Sequence, residues 1–596
     1  MNDIVTCDVE CYPNYFLVMF YHVSTGRHLY IDMLDNSTFD RSKLARMLTE
    51  YTIVTYNGNN YDLPLICMFL CGASNEKLKK TSDAIIAGDI KSYDILRSYQ
   101  DIIIDTIDIM NVCPLKATLK IYGGRIHTET MQDLPLEPDT VILADQLPAI
   151  RKYCLNDVRI TAELYQEVKF NIDIRIQMGS EIGLDLRSKG DASIAETIIT
   201  KRIGSTVRPP QIPAGTQYKY AAPAYISFKT TELKEVMVVY TSLPYTVMAS
   251  GHIDFTFPDG KKSHKLQFYD TTYTIGIGGL HSCEKQICHE SNSEMILEDN
   301  DVTSYYPNII LNNEYYPESL GKVFYEVYHD IVDERIAAKH SGDKIKAQAL
   351  KIPINASFGK FGSKYSKLYA PNLMINVTIT GQLSLLMLIE TLEMNGIHVV
   401  SANTDGIVTY YPRKLKPIKD SIISDWSKIT NYAMEVVEYK VLASRDVNNY
   451  IAVKHDGTCK GKGAYADLNE EYYHLRSNPD AAICYTACRK FLSEHISVED
   501  SIMQCKDIRQ FVTIRTVTGG AMYDNVLIGK SIRYYHSCDS LECFFYSDKI
   551  PTTAGHKVPD TDGTVPCMKL PEVFPADIDY SWYITKANKV LSELGV

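Results

Sequence analysis

Runs of alternating or clustered apolar residues, broken by Gly- and Asn-rich turns, divide the chain into short strands and amphipathic helices. Ile4-Val5-Thr6-Cys7-Asp8-Val9-Glu10 reads as a strand, and Tyr51 to Tyr56 as a second, closed by the turn-forming Asn57-Gly58-Asn59-Asn60. A helix is expected from Tyr153 to about Val168. Later, Glu294-Met295-Ile296-Leu297 predicts a strand leading into Asp301. The apolar runs Ile397 to Val400 and Ile407-Val408 flank Asn403-Thr404-Asp405-Gly406. Between these lies a helix from about Val327 to His340. The turn Ser341-Gly342-Asp343 follows, with Asp343 as N-cap, and then a second helix bearing Lys351. Leu383 to Leu392 is an apolar helix too short to span a bilayer. The end of the chain offers a strand over Ile508 to Val517 and a helix near Ile584 to Leu594.

This pattern places charged side chains in pairs. Strand alternation turns Asp8 and Glu10 to one side, as suits joint metal coordination and equally the polar face of an edge strand. Tyr153 and Asp157 share a helical face, and Asp62 follows the second strand. Asp8, Glu10, Asp62 and Asp157 can therefore converge on two metal ions. Asp301 and Asp405, each at a strand end, can hold two magnesium ions, while the cation of Lys351 can hold a triphosphate. Lys351 and Asn355 lie one turn apart, as do Arg335 and Lys339, so two antiparallel helices would each present polar groups on one face. Pro353 is expected to kink the second helix just past Lys351.

Composition adds little. At 596 residues, 45% apolar and 22% charged, the chain has the make-up of a soluble protein of roughly four domains. Its net charge of −12 argues mildly against a nucleic-acid partner. That argument is weak, because metal-binding carboxylates count as negative and a basic groove can coexist with acidic outer faces. The 42 tyrosines could stack on bases or fill strands. Fifteen cysteines without a pattern fit free thiols in a reducing cytoplasm. His281, Cys283, Cys288 and His289 are too close together for finger-like zinc spacing.

In order and flanking residues, Asp8, Glu10, Asp62, Tyr153 and Asp157 resemble the DEDDy type of 3′–5′ exonuclease domain of family B DNA polymerases, and Leu115 to Leu119 with Gly123-Gly124 adds to the likeness. The second half resembles the same family. Asp301-Val302-Thr303-Ser304-Tyr305-Tyr306-Pro307 is similar to motif A, with Tyr305 in place of leucine. Lys351 to Gly359 is similar to motif B, with Phe358 in place of tyrosine. Ser401 to Gly406 is similar to motif C, with Asn403 for its first aspartate and Gly406 for its serine. Gly276 to Ser282 partly matches a template-binding motif through Gly278 and Gly279. Tyr450, Lys460 and Lys462 lie where the family binds the primer duplex, although an ordinary hairpin accounts for Lys460 to Gly463 as well.

The resemblance implies an α/β and α+β multidomain protein: an RNase H-like exonuclease domain followed by a right-hand polymerase with palm, fingers and thumb. The exonuclease would occupy 1–190, a connecting segment and first part of the palm 191–320, the fingers 321–360, the second part of the palm 361–465, and the thumb and C-terminal region 466–596. Magnesium, or manganese in its place, would be held by Asp301, the Val302 carbonyl and Asp405, and by the four exonuclease acids. Tyr153 would orient the attacking water. Arg335, Lys339 and Lys351 would grip the triphosphate beside Asn355, and Tyr306 would select against a ribose. Asn57, Gly278, Gly279, Tyr450, Lys460 and Lys462 would touch DNA. The implied enzyme is a bacteriophage-type replicative polymerase acting on primer–template DNA and deoxynucleoside triphosphates in the cytoplasm, with no membrane partner. It is expected to lack the N-terminal domain of larger members. The spans 301–351 and 351–405 leave no room for two long insertions beside the fingers, so a helicase, single-strand-binding protein or processivity factor is expected. Two other classes stay open: a metal-dependent 3′–5′ exonuclease whose polymerase half only binds DNA, and a non-catalytic replisome organiser.

Overall fold

Alternation along the first strand sets the core of the N-terminal region. In the computed structural model, which describes residues 3–204, 206–467 and 473–596, that strand is β1 (Ile4–Tyr12). Its Val5, Cys7 and Val9 pack with Leu65, Ile66 and Phe69 of α1 (Asp62–Leu70), which turns Asp8 and Glu10 to the opposite face. With β2 (Tyr15–His22), β3 (His28–Leu34), β4 (Thr52–Thr55) and β5 (Thr106–Asp108) it forms a five-stranded sheet of order β3-β2-β1-β4-β5. The hairpin strands run antiparallel, and β4 and β5 parallel to β1. A short helix, α2 (Leu119–Arg125), precedes the long α3 (Leu147–Ile182). The latter extends well beyond the expected 153–168 because its apolar stripe continues. Cys154 and Val158 pack on Tyr15, Leu17 and Met19, and Leu164 and Val168 on Val54 and Ile107. Gly183, in the left-handed region at φ 68°, ends it.

The chain divides into two units. Residues 1–190, 468–484 and 502–584 make the first, and 191–467, 485–501 and 585–596 the second. A ten-stranded antiparallel sheet dominates the second unit. Its strands are β6 (Ser263–Phe268), β7 (Thr271–Gly276), β8 (His281–Ser282), β9 (Ile287–Glu290), β10 (Met295–Val302), β11 (His398–Asn403), β12 (Gly406–Pro412), β13 (Met434–Asp446), β14 (Asn449–Lys454) and β15 (Cys459–Lys462). Their order is β15-β14-β13-β10-β12-β11-β8-β7-β6, with β9 pairing beside β13. Alternation splits the acids of β10 between two faces. Glu298, 2% exposed, is enclosed by Tyr411, Lys416 and Lys419 at 2.6, 2.8 and 2.8 Å, whereas Asp299 and Asp301 point the other way.

Among the helices of this unit, four frame the β11–β12 hairpin: α4 (Tyr305–Asn312), α5 (Lys322–His340), α6 (Lys344–Ala356) and α7 (Pro371–Glu393). The Asp343 side chain caps α6 by accepting from the Lys346 amide at 2.9 Å. The helix carries on through the buried Pro353 and gives way at Ser357 to a short turn over Phe358–Phe361. The apolar stretch expected over 383–392 is only the end of α7. This helix is 23 residues long and apolar enough to cross a membrane, yet almost all of it is buried, and Trp426 Nε1 donates to its Ser384 carbonyl at 2.9 Å.

The last part of the chain is shared between the units. β16 (Thr513–Tyr523), β17 (Val526–His536), β18 (Phe545–Tyr546) and β19 (Thr564–Pro566) form a four-stranded sheet, ordered β18-β16-β17-β19, within the first unit. Arg533 of β17 has no exposed surface and donates to the carbonyls of Thr128, Glu129, Cys567 and Met568, so this sheet is bonded to the N-terminal region. Residues 466–596, expected as the thumb and C-terminal region, are divided between the two units. The final helix spans Tyr580–Glu593.

Candidate active sites

In the first unit, local rules deliver five side chains to one place. Asp8 and Glu10 leave β1 on the face that α3 covers. Asp62 opens α1 and accepts from the Val9 amide at 3.2 Å. Tyr153 and Asp157 descend from consecutive turns of α3. Asp62, Asp157 and Tyr153 are 3%, 5% and 6% exposed. Crowded carboxylates in a dry site repel their own charges. Burial, followed by Asp157, pushes Asp8 up to about 7, with Lys120 opposing. Burial and then Asp8 raise both Glu10 and Asp62 above the usual carboxylate range. Ligand atoms of Asp8, Glu10 and Cys154 lie within 4.8 Å of one another. Burial, and then Asp8, holds the Cys154 thiol well above its ordinary value, so it stays protonated and the available donors are hard oxygens. Such a donor set fits magnesium or manganese.

Lys120 completes this cluster. Its ammonium bonds Asp157 and sits 4.1 Å from the centroid of the Tyr153 ring. Asp108, at the end of β5, accepts from the amides of Asn57 and Asn59 at 2.9 and 3.1 Å and so shapes the turn before Asp62. Asn57 itself is left-handed at φ 70°, and its side chain accepts from Asn60 at 2.8 Å.

The second unit gathers the other acids at a tight hairpin. β11 and β12 are joined by Thr404 and Asp405, with Asn403 paired to Gly406 and Gly406 paired to Asp301. Thr404 has φ 52°, which a β-branched residue adopts only under constraint. That constraint is visible: the Thr404 amide donates to the Leu280 carbonyl at 2.7 Å, and the Val302 amide to the Asp405 carbonyl at 2.8 Å. A Cβ on Gly406 would lie 1.9 Å from Asp301 Oδ1. The glycine thus makes room for the aspartate, and the two carboxylates share one exposed end of the sheet. Burial, followed by Asp301, raises Asp405. Lys462 and Lys460 oppose that rise. Lys462 lies opposite Tyr450 in the β14–β15 pair, with its ammonium 5.6 Å from the ring.

A cavity of about 400 Å³ opens beside this hairpin, lined by Tyr306, Arg335, Lys351, Asn355, Phe358, Thr404 and Asp405 among others. The rings of Tyr306 and Phe358 lie 4.6 Å apart. Tyr305 is core, donating to the Gly381 carbonyl at 2.7 Å. Arg335 Nε is buried with no partner among the described residues. Lys339 is exposed in the last turn of α5 and does not line the cavity. A Cβ on Gly279 would meet Thr404 Oγ1 at 2.3 Å, whereas Gly278 faces open space. Gln382 secures this loop, donating to the Gly276 and Gly278 carbonyls at 2.6 and 2.7 Å.

Two curated archaeal proteins are similar to part of the chain. "DNA polymerase 1" of Sulfolobus acidocaldarius is 31% identical over 121 residues, 20% of this chain and 14% of that protein. "DNA polymerase 1" of Saccharolobus solfataricus is 33% identical over 121 residues, 20% of this chain and 13% of that protein. The chain thus matches about one-seventh of these relatives' length. No family model matches the sequence. Among solved structures, the family B DNA polymerase of the hyperthermophilic archaeon Pyrobaculum calidifontis aligns with a TM-score of 0.40 and 14% identity, over 100% of this chain and 78% of that one.

Lys120, Asp108, Asp299 and Gln382 escape the sequence reading. Asp299 alone had a usable signal: it stands two residues before Asp301 on a strand, the spacing that singled out Asp8 and Glu10. Burial, and then Asp301, pushes Asp299 up to about 6. The signals for the other three lie in distant partners. His281, Cys283, Cys288 and His289 bring no group of metal-ligating atoms together among the described residues.

Proposed function

We propose that the chain is a DNA-directed DNA polymerase of the family B type with 3′–5′ proofreading, replicating a genome in the manner of phage enzymes within a host cytoplasm. One observation carries the reading: Asp405, Tyr306, Lys351 and Arg335, from segments scattered over a hundred positions, line one cavity, and Asp301 stands across the strand pair from Gly406 at its edge. The partial similarity to archaeal DNA polymerases supports it.

In this reading the ten-stranded sheet is the palm and α5 with α6 the fingers. Lys351 and Arg335 neutralise the triphosphate, and the buried, unpartnered Nε of Arg335 is left for a phosphate oxygen. Tyr306, backed by Phe358, lies under the deoxyribose. Tyr450, Lys460 and Lys462 hold the primer end, and the Gly278–Gly279 loop meets the template backbone. Magnesium pairs, held by Asp301, the Val302 carbonyl and Asp405 in one unit and by Asp8, Glu10, Asp62 and Asp157 in the other, would supply Lewis-acid activation and charge neutralisation for phosphoryl transfer. In the hydrolytic site Tyr153 orients water, while Lys120 opposes the rise that burial imposes on Asp157 and lies over the tyrosine ring.

The rival reading, a nuclease with a decayed polymerase half, rests on Asn403 and Gly406. Gly406 does not favour it, because the missing side chain is what seats Asp301. The test is a labelled primer–template incubated with magnesium and deoxynucleotides. Wild type should extend, Asp405→Ala should only degrade, and Asp8→Ala should only extend. Wild type that degrades but never extends would establish the nuclease instead.

A further inference from the structure

Resting on the polymerase reading, we propose that Asp299 is a further carboxylate of the second unit's ion-binding end, supplying negative charge that Asn403 does not. Three placements support this. Asp299 and Asp301 are two residues apart on β10 in an unbroken register, Asp301 opposite Gly406 and Glu435, Asp299 opposite Val408 and Val437. Both side chains therefore rise from the same face, roughly 7 Å apart along the strand. Next, Asp299 is 9% exposed, and its Oδ2 accepts from the Tyr439 hydroxyl at 2.7 Å, so the carboxylate is anchored by one oxygen. The tyrosine donates its one proton to Oδ2, and among the described residues no other donor to this carboxylate is found, so Oδ1 can accept from water. Finally, Asp301 pairs with Gly406 and the Asp405 carbonyl accepts from the Val302 amide at 2.8 Å, so Asp405 meets β10 at the same end.

Asn403 occupies the same row as Asp301 and Gly406, one strand further on, and brings an amide rather than a charge. At about 7 Å from its strand neighbour, Asp299 does not replace a direct ligand. It would act from beyond direct contact, where a full negative charge still attracts a divalent ion. A purely structural account, in which Asp299 exists to satisfy Tyr439, would be met equally by asparagine, whose carbonyl accepts the same hydrogen bond.

That difference sets the experiment. Mn2+ binding is titrated by electron paramagnetic resonance on the full chain carrying Asp8→Ala and Glu10→Ala, so that the other ion site is silent. Adding Asp299→Asn should weaken binding about tenfold, and adding Asn403→Asp to that protein should restore most of the loss. Asn403→Asp without the Asp299 change should tighten binding severalfold, an arm that holds even if Asp299→Asn fails to fold. Tyr439→Phe should change affinity far less than Asp299→Asn. Unchanged affinity in Asp299→Asn, or a loss that Tyr439→Phe reproduces and Asn403→Asp does not repair, overturns the proposal. Asp301→Asn is the control for the underlying reading: if it too leaves Mn2+ binding intact, the polymerase assignment of this end fails, independently of Asp299.

Discussion

At the scale of residues, Gly406 shows how a departure from a motif can be a fit rather than a loss. The space its side chain would fill is taken by Asp301 Oδ1. Gly406→Ala must rotate that carboxylate, and primer extension should fall about tenfold, or roughly 1.4 kcal/mol, with hydrolysis unaffected. Equal extension by the alanine protein in the same assay would show that Asp301 works in another rotamer. Tyr306 should act through bulk alone, so Tyr306→Val should relax discrimination against ribonucleotides by about a hundredfold, measured as the ratio of kcat/KM for the two sugars. A third residue governs acid stability. Burial, then Arg533, pulls the His127 imidazole down to about 4, from an ordinary value near 6.5. Between those values the unfolded chain binds the extra proton, so this contribution is complete above pH 6.5 and lost as pH falls toward 4. His127→Gln should remove about 1–3 kcal/mol of that pH dependence, seen as a smaller gap between the unfolding midpoints at pH 5 and pH 7.5. An unchanged gap would place the acid sensitivity elsewhere.

Elements explain what could be read from the sequence. Asp8 with Glu10, and Tyr153 with Asp157, are legible because strand and helix periods are local: spacing alone fixes the shared face. Asp343 is legible as a cap for the same reason, and its bond to the Lys346 amide bears out the turn chemistry. Asp343→Ala should cost about 1 kcal/mol of local helix stability. The effect should appear as faster amide exchange at the start of α6 and a modestly higher KM for nucleotides. Protection equal to wild type would mean that packing, not the cap, fixes this end. Lys120 was not legible, because its value lies in reaching Asp157 and the Tyr153 ring from a separate helix. Nor was the reach of α7, whose polar residues interrupt the apolar run yet are buried: Thr380 and Gln382 find partners in distant segments, at the Tyr220 hydroxyl and the Gly276 and Gly278 carbonyls, while Thr378 donates back to the Met374 carbonyl of its own helix.

On the scale of the whole molecule, each of two units carries its own cluster of acids, and the division crosses the sequence more than once. The C-terminal sheet belongs to the N-terminal unit through Arg533, a long-range arrangement that no local pattern encodes. The chain is proposed to lack the insertions that would open a duplex ahead of the primer. On nicked circles it should stall within tens of nucleotides until a helicase is added; unaided synthesis over kilobases would contradict this. The central claim, that one chain both adds and removes nucleotides, is tested most directly by idling. The next templated deoxynucleoside triphosphate, labelled, is supplied alone on a primer–template, and its conversion to monophosphate is followed. Wild type should release monophosphate steadily, whereas Asp405→Ala and Asp8→Ala should each release almost none. Absence of monophosphate from wild type, on a primer that it shortens, would contradict the account and leave the second unit without a polymerase.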